Sequence, residues 1–191
     1  MRIIAGTARG RKIEAPEGLH TRPTLDRVRE NLFNILQQRT RGSRVLDLFA
    51  GSGSLSLEAL SRGAEHAVLV DSDRNASRIQ RKNLDQLEMA DRAEIFLCDW
   101  QKAVRELVSR DCCFDLVFLD PPYRMTDLRE VFDSLADLTA PDGLIMLEHE
   151  AKAEPLTGDR FEKTDERKWG YCSVSFFRRR SGLSPDRGQT L

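Results

Sequence analysis

The chain has 191 residues, 40% hydrophobic and 32% charged, enough for one globular domain with a buried core and a ligand cleft. Its cysteines, Cys98, Cys112, Cys113 and Cys172, show no CxxC spacing and are not interleaved with His20, His66 and His149, so neither zinc nor a disulfide framework is expected, and no metal. The formal net charge of -1 is unevenly spread: residues 1–44 carry 10 Lys/Arg against 4 Asp/Glu, residues 160–191 carry 8 against 4, and the middle 12 against 23. Basic flanks around an acidic middle suit a polyanion held at the edges and a cationic ligand at the centre.

The chain opens on Ile3 and Ile4, broken at once by Gly6, Arg9 and Arg11, so it does not read as a signal peptide. No run approaches the length of a membrane span; a cytoplasmic location without a membrane partner is the expectation. A helix is predicted from Thr24 as N-cap, with Asp26 in its first turn and Leu25, Val28, Leu32, Ile35 and Leu36 facing inward. Strand-like runs follow at Val45 to Ala50, His66 to Asp71, Ala93 to Cys98, Phe114 to Asp120 and Gly143 to Glu148, alternating with segments of helical period. The clearest of these puts Trp100, Ala103, Val104, Leu107 and Val108 on one face. This is the pattern of an α/β sheet with crossovers. After residue 150 the alternation stops, and Arg160 to Trp169 and Cys172 to Arg178, joined at a turn containing Gly170, read as an antiparallel hairpin. Residues 1–180 are expected to form a single domain, with 1–20 as a basic N-terminal hairpin and 181–191 as a disordered tail.

Asp47-Leu48-Phe49-Ala50-Gly51-Ser52-Gly53 follows the first strand and leads into a helix. There Gly51 and Gly53 let the backbone approach a ligand at the carboxyl edge of the sheet. Asp71 ends the next strand about 20 residues on, the position from which a carboxylate takes ribose hydroxyls. A dinucleotide enzyme would usually add a third glycine, but Leu57 and Glu58 stand here. S-adenosylmethionine has no pyrophosphate and carries an amino group and a sulfonium, so a carboxylate such as Asp47 beside the glycines suits it electrostatically. Asp99 ends the third strand and is a candidate acceptor for the adenine amino group.

Asp120-Pro121-Pro122-Tyr123 ends the fourth strand on the same edge. The two prolines fix the direction of the Asp120 carboxylate and the Pro121 carbonyl. Two acceptors so held can take the two hydrogens of an exocyclic amine and aim its lone pair, otherwise delocalised into the ring, at an electrophilic methyl. Tyr123 is placed to stack on a base turned out of its helix.

With Met1-Arg2-Ile3-Ile4-Ala5-Gly6, Gly10-Arg11-Lys12, Arg22-Pro23-Thr24, Asp26-Arg27-Val28-Arg29-Glu30 and Leu32-Phe33-Asn34-Ile35-Leu36, these motifs resemble the RsmD family of class I methyltransferases over roughly residues 1–150. The resemblance implies a Rossmann-like, mostly parallel seven-stranded sheet with a C-terminal antiparallel hairpin and an N-terminal β-hairpin extension. It also implies transfer of a methyl group from S-adenosylmethionine to N2 of a guanine in 16S ribosomal RNA, within an assembled or assembling 30S particle, by a monomer. By the same resemblance Arg22, Pro23, Thr24 and Phe33 close over the methionine end of the cofactor, and Asp47, Phe49, Ala50, Gly51 and Gly53 lie beneath it. Asp71 with Ser72 takes the ribose, Asp99 with Trp100 the adenine, and Asp120 to Tyr123 are catalytic. Arg2, Arg9, Arg11 and Lys12 are expected to hold RNA phosphates. The chain departs from the family's pattern at Asp71, where glutamate is commoner, and at Lys168-Trp169-Gly170-Tyr171. Proline-proline motifs of this kind also serve adenine-N6 and protein-glutamine methylation, and a non-enzymatic RNA-binding module on the same fold is a further alternative.

Overall fold

The computed structural model of the chain describes residues 1–15, 23–122 and 124–180. Runs rich in Val, Leu, Ile and Phe form β1 (Arg44–Asp47), β2 (His66–Asp71), β3 (Ala93–Leu97), β4 (Phe114–Leu119) and β5 (Thr139–Glu150). Then β6 (Phe161–Trp169) and β7 (Cys172–Arg179) fold back on each other, closed by Trp169 opposite Cys172, with Gly170 at φ 65° in the turn. The sheet order is β3-β2-β1-β4-β5-β7-β6, with β7 antiparallel to both of its neighbours. This is the Rossmann-like, mostly parallel seven-stranded sheet that the resemblance implied.

The helices are α1 (Pro23–Ile35), α2 (Gln37–Thr40), α3 (Ser54–Ser61), α4 (Arg74–Leu87), α5 (Trp100–Ser109) and α6 (Arg129–Leu135). Val45, Leu69, Phe118, Met146 and Val174 carry one face of the sheet, packed with Leu32 and Phe33 of α1, Leu57 and Leu60 of α3 and Leu84 and Leu87 of α4. Leu46, Val70, Val117 and Leu147 carry the other, packed with Leu107 of α5 and Phe132 of α6. Each such side chain contributes about 1.5–3 kcal/mol when fully buried, so the alternation of faces holds both layers on the sheet.

β1 and β4 are parallel neighbours, with Asp47 opposite Phe118, and the chain runs outward from β1 to β2 and β3 on one side and from β4 to β5 on the other. The strand order therefore reverses between β1 and β4, and loops leaving their carboxyl ends diverge and open a crevice. Side chains two apart on a strand share a face. Asp47 follows Val45, Asp71 follows Leu69, Asp120 follows Phe118 and Glu148 follows Met146, so four acidic residues line one face at the carboxyl edge of β2, β1, β4 and β5.

The basic start is a hairpin of minimal length, with the Ile3 amide donating to the Arg11 carbonyl at 3.0 Å and the Ile13 amide to the Met1 carbonyl at 3.1 Å. Arg2 and Lys12 form a single antiparallel bridge, and tight turns carry the residues between. Four of the amides in those turns are taken by α3. Glu58 accepts from Ile4 and Ala5 at 2.8 and 3.0 Å, the Ser61 carbonyl from Thr7 at 2.8 Å, and the Ser61 hydroxyl from Ala8 at 3.0 Å. Gly6, at φ 84°, lies so close that an added Cβ would stand 1.8 Å from the Ser61 carbonyl oxygen, so only glycine fits.

Element ends differ from expectation in small ways. α1 starts at Pro23, which suits the first helical position by its fixed φ, so Thr24 lies inside the first turn rather than capping it. Val28, Leu32 and Leu36 are buried as predicted, whereas Ile35 at 44% and Val108 at 40% are exposed, each in the last turn of a helix that has left the sheet. β1 stops at Asp47 rather than Ala50, because the glycine turn has already begun, and β5 begins at Thr139, four residues early. The tail expected at 181–191 falls outside the described residues, as do residues 16–20 of the basic start.

Candidate active site

The loop from Leu48 to Gly53 is fastened on both sides. The Leu48 amide donates to the Phe118 carbonyl at 3.1 Å, the Ala50 amide to the Val70 carbonyl at 2.9 Å, and the Gly51 amide to Asp71 Oδ2 at 2.8 Å. From α4, Gln80 Nε2 donates to the Gly51 carbonyl at 2.9 Å and Asn83 Nδ2 to the Ser52 carbonyl at 3.2 Å. Gly51 and Gly53 have φ of 53° and 78°. A Cβ at Gly53 would lie 2.7 Å from the Leu69 side chain, while one at Gly51 would meet nothing within 4 Å, so Gly51 presents bare backbone to open space. Gly53 precedes α3 as its cap and offers no side-chain hydrogen bond there.

Asp71 holds two loops at once, since its Oδ1 accepts from the Asp73 amide at 2.8 Å, and each oxygen keeps a lone pair for a hydroxyl. Ser72 beside it is exposed. Asp99 is exposed and caps α5 by accepting from the Lys102 amide at 2.8 Å. Trp100 and Phe49 are half-buried against the same core cluster, and Ala50 lies in the fastened loop. Two sequence-predicted residues are placed differently. Phe33 is fully buried, its ring edge-on to Phe118 at 6.0 Å and under the Arg62 guanidinium, so it fixes α1 to the sheet and presents no surface to a ligand. Asp47 is 1% exposed and accepts from the Ser56 hydroxyl at 2.8 Å, so it lies beneath the glycine loop and reaches a ligand through its field. Pro23 and Thr24 are the first residues of α1; Arg22 and Tyr123 lie outside the described residues.

Gln80 and Asn83, both fully buried, are not singled out by sequence reasoning. Asn83 also takes the Glu14 amide at 2.7 Å, tying the N-terminal segment to the glycine loop. Their signal is nonetheless present: polar side chains on the face of α4 that also carries Ala76, Ile79, Leu84 and Leu87.

Asp120 is reached by solvent yet enclosed by protein, as a side chain on the floor of an open crevice is. That enclosure, followed by the charges of Glu148 and Asp47, raises its carboxyl well above the usual range. Pro121 is buried and Pro122 exposed. Burial also pushes Asp47 up to about 7, against the hydrogen bond from Ser56 and with help from the Asp71 charge. The native state therefore keeps a proton that the unfolded chain loses above about pH 4, and stability falls as the pH rises from there to about 7. Asp47→Asn, which keeps an acceptor for Ser56, is expected to melt several degrees above wild type at pH 8, a gain of at most roughly 4 kcal/mol. Melting curves should show the gap closing toward pH 4.

The four carboxylates suit a ligand with positive charge and hydroxyls, and the bare Gly51 backbone suits its close approach. A groove of about 990 Å³ runs between the N-terminal turns and α1, lined by Arg2, Arg9, Lys12 and Arg27 together with Asp26 and Glu30. Arg27 is exposed and carries no signal of its role in the sequence. Arg11 is partly engaged, its guanidinium donating to the Gln86 carbonyl and lying 3.7 Å from Glu88. Among the described residues no helix is long and apolar enough to cross a membrane, and no cluster could hold a metal ion.

Comparison with known proteins accords with this geometry. Ribosomal RNA small subunit methyltransferase D of Escherichia coli K12 is 40% identical over 154 residues, covering 80% of this chain and 76% of that protein. The Haemophilus influenzae protein of the same name is 34% identical over 180 residues, covering 93% of each. The solved structure of Escherichia coli yhhF superimposes with a TM-score of 0.80 at 36% identity, covering 94% of this chain and 97% of that one. The family model described as conserved hypothetical protein 95 matches residues 1–178, and by that match and these identities the chain belongs to this family, the RsmD family.

Proposed function

We propose that this protein methylates the exocyclic N2 of a guanine in small-subunit ribosomal RNA, with S-adenosylmethionine as the methyl donor. The observation that carries this reading is the meeting of the glycine loop and the Asp120-Pro121 turn at the point where the strand order reverses, along an edge of four carboxylates. The names of the relatives supply the ribosomal RNA. Gly51 and Gly53 would lie along the cofactor, Asp71 would take its ribose, Asp99 its adenine amino group, and Asp47 would favour its positive charge. The cofactor, when bound, supplies an electrophilic methyl group on a sulfonium.

The chain's own residues do the remaining work. The Asp120 carboxylate and the Pro121 carbonyl each accept one amino hydrogen, which orients the nitrogen lone pair toward the methyl group. Tyr123 is assigned to stacking on the flipped base. Arg2, Arg9 and Lys12, with Arg27 across the groove, hold phosphates, and Arg11 adds to them at the α4 end. We place the reaction in the cytoplasm, on an assembled or assembling 30S particle, carried out by a single domain acting as a monomer.

The test compares methyl incorporation into deproteinised small-subunit RNA and into small subunits, both lacking the mark, followed by nucleoside analysis. N2-methylguanosine, more of it from the particle, is the expected product. Methylated adenine or methylated glutamine would replace this reading with another. Replacing Arg2, Arg9 and Lys12 together by alanine is expected to weaken RNA binding at every sequence alike. It should also flatten the dependence of log affinity on log salt by about 0.7–0.9 for each phosphate that is no longer neutralised. A filter-binding salt series checks both.

A further inference from the structure

Asp120 has a neighbour that the scheme above leaves unused. β4 and β5 run parallel with Leu119 beside Leu147, so Asp120, just past the end of β4, stands beside Glu148 of β5 on the same face. Parallel strands lie about 4.8 Å apart, a separation at which two carboxylates in a partly desolvated crevice act strongly on each other. Glu148 is half-buried and its strand is paired on both edges, by β4 and by β7, so its position is fixed by the sheet. On β7, Cys172 shares this face two residues before Val174, the register partner of Glu148, and its thiol donates to the Ser173 carbonyl at 3.8 Å. Burial raises that thiol far above its ordinary value, so it stays protonated and serves as a weak donor without charge.

We propose that Glu148 is the positioning partner of Asp120: the two carboxyls share one proton, and the pair takes up the proton that the amine releases on methylation. This inference rests on the guanine-N2 reading of the site. In that step the nitrogen lone pair forms the bond to the methyl carbon as the carbon–sulfur bond breaks, with its electrons left on sulfur. The nitrogen's positive charge is discharged when one N–H proton passes to the pair, and water at the crevice mouth later takes that proton. Burial raises both members. The Glu148 and Asp47 charges add to the effect on Asp120, and the Cys172 thiol opposes it at Glu148. His149, next on β5, points to the other face, where it bonds to the Ser175 hydroxyl at 2.9 Å, and Glu150 is exposed at the rim. Such a pair titrates as a unit.

The test measures single-turnover methyl transfer at saturating cofactor and RNA, from about pH 5 to about pH 9, for wild type, Glu148→Gln and Glu148→Asp. It is run with a carbon-13 NMR titration of the Asp120 carboxyl in protein without cofactor. Wild type is expected to lose rate on the acid side well above the ordinary carboxylate range and to titrate in two steps. In Glu148→Gln the acid limb moves down by about one pH unit or more, the plateau falls severalfold because a weaker base remains, and Asp120 titrates in one lower step. Glu148→Asp restores both the limb and the two steps. An acid limb and an Asp120 titration that superimpose on wild type in both variants would overturn the inference, whatever happens to the plateau. Should wild type methylate no guanine, the functional reading fails by itself, and the NMR titration still decides whether the pair exists.

Discussion

Asp120→Ala is expected to bind S-adenosylmethionine and to transfer its methyl group about a thousandfold more slowly than wild type. The substitution removes the acceptor that orients one amino hydrogen and leaves the Pro121 carbonyl to hold the other, so the amine can enter but is no longer aimed. It also removes a carboxyl from a crowded edge, where desolvation, Glu148 and Asp47 all oppose its ionisation. The variant should therefore melt no lower than wild type at pH 8, which separates lost chemistry from lost folding. Isothermal titration with cofactor, a melting curve and a methyl-transfer rate on the same preparation make the test. Near-normal transfer would remove Asp120 from the mechanism.

Glu58→Ala should show the largest loss of stability, about 3–5 kcal/mol. Glu58 is fully buried, 2.7 Å from Arg62 and 3.9 Å from Arg29, and it accepts the Ile4 and Ala5 amides. Arg29 is itself only 5% exposed, and burial lowers its pKa while Glu58 and then Asp26 raise it. Alanine leaves that guanidinium with Asp26 as its remaining carboxylate and deprives two backbone amides of their acceptor. At about 2–4 °C per kcal/mol for a chain of this size, the melting temperature should drop by roughly 10 °C. Urea unfolding would measure the loss, and a value below about 1 kcal/mol would mean that water entering the vacated space accepts from the freed amides in place of the carboxylate. Because the same group holds the N-terminal turns, RNA affinity should fall with it.

Much of this architecture is legible in the residues. The continuous apolar runs of the central strands place β2 with both ends correct and most of the others to within a residue or two, and Gly170 marks the hairpin turn. The motifs on the carboxyl edge stand out because they interrupt apolar runs at their ends. Periodicity says which face a residue occupies but not what that face meets. Phe33 lies on the correct side of α1, and only packing against Phe118 shows it sealed in the core. Gln80, Asn83 and Glu58 escape notice for the converse reason: they are polar residues in core positions, and their purpose is visible only in the backbone groups they satisfy, 29 to 69 residues away in sequence. Nothing in the N-terminal residues themselves tells that α3 takes the amides of Ile4, Ala5, Thr7 and Ala8, since Glu58 and Ser61 lie more than 50 positions away.

The acidic edge of the sheet has a consequence for turnover. Its field favours a ligand while sulfur bears a positive charge, and methyl transfer abolishes that charge, leaving a neutral thioether. On the proposed reading, spent cofactor would be held chiefly by its ribose, adenine and amino-acid ends, so each catalytic event would loosen the grip on its own by-product. Exchange for a fresh donor is thereby biased forward without any moving part, and the bias should shrink as salt screens the edge.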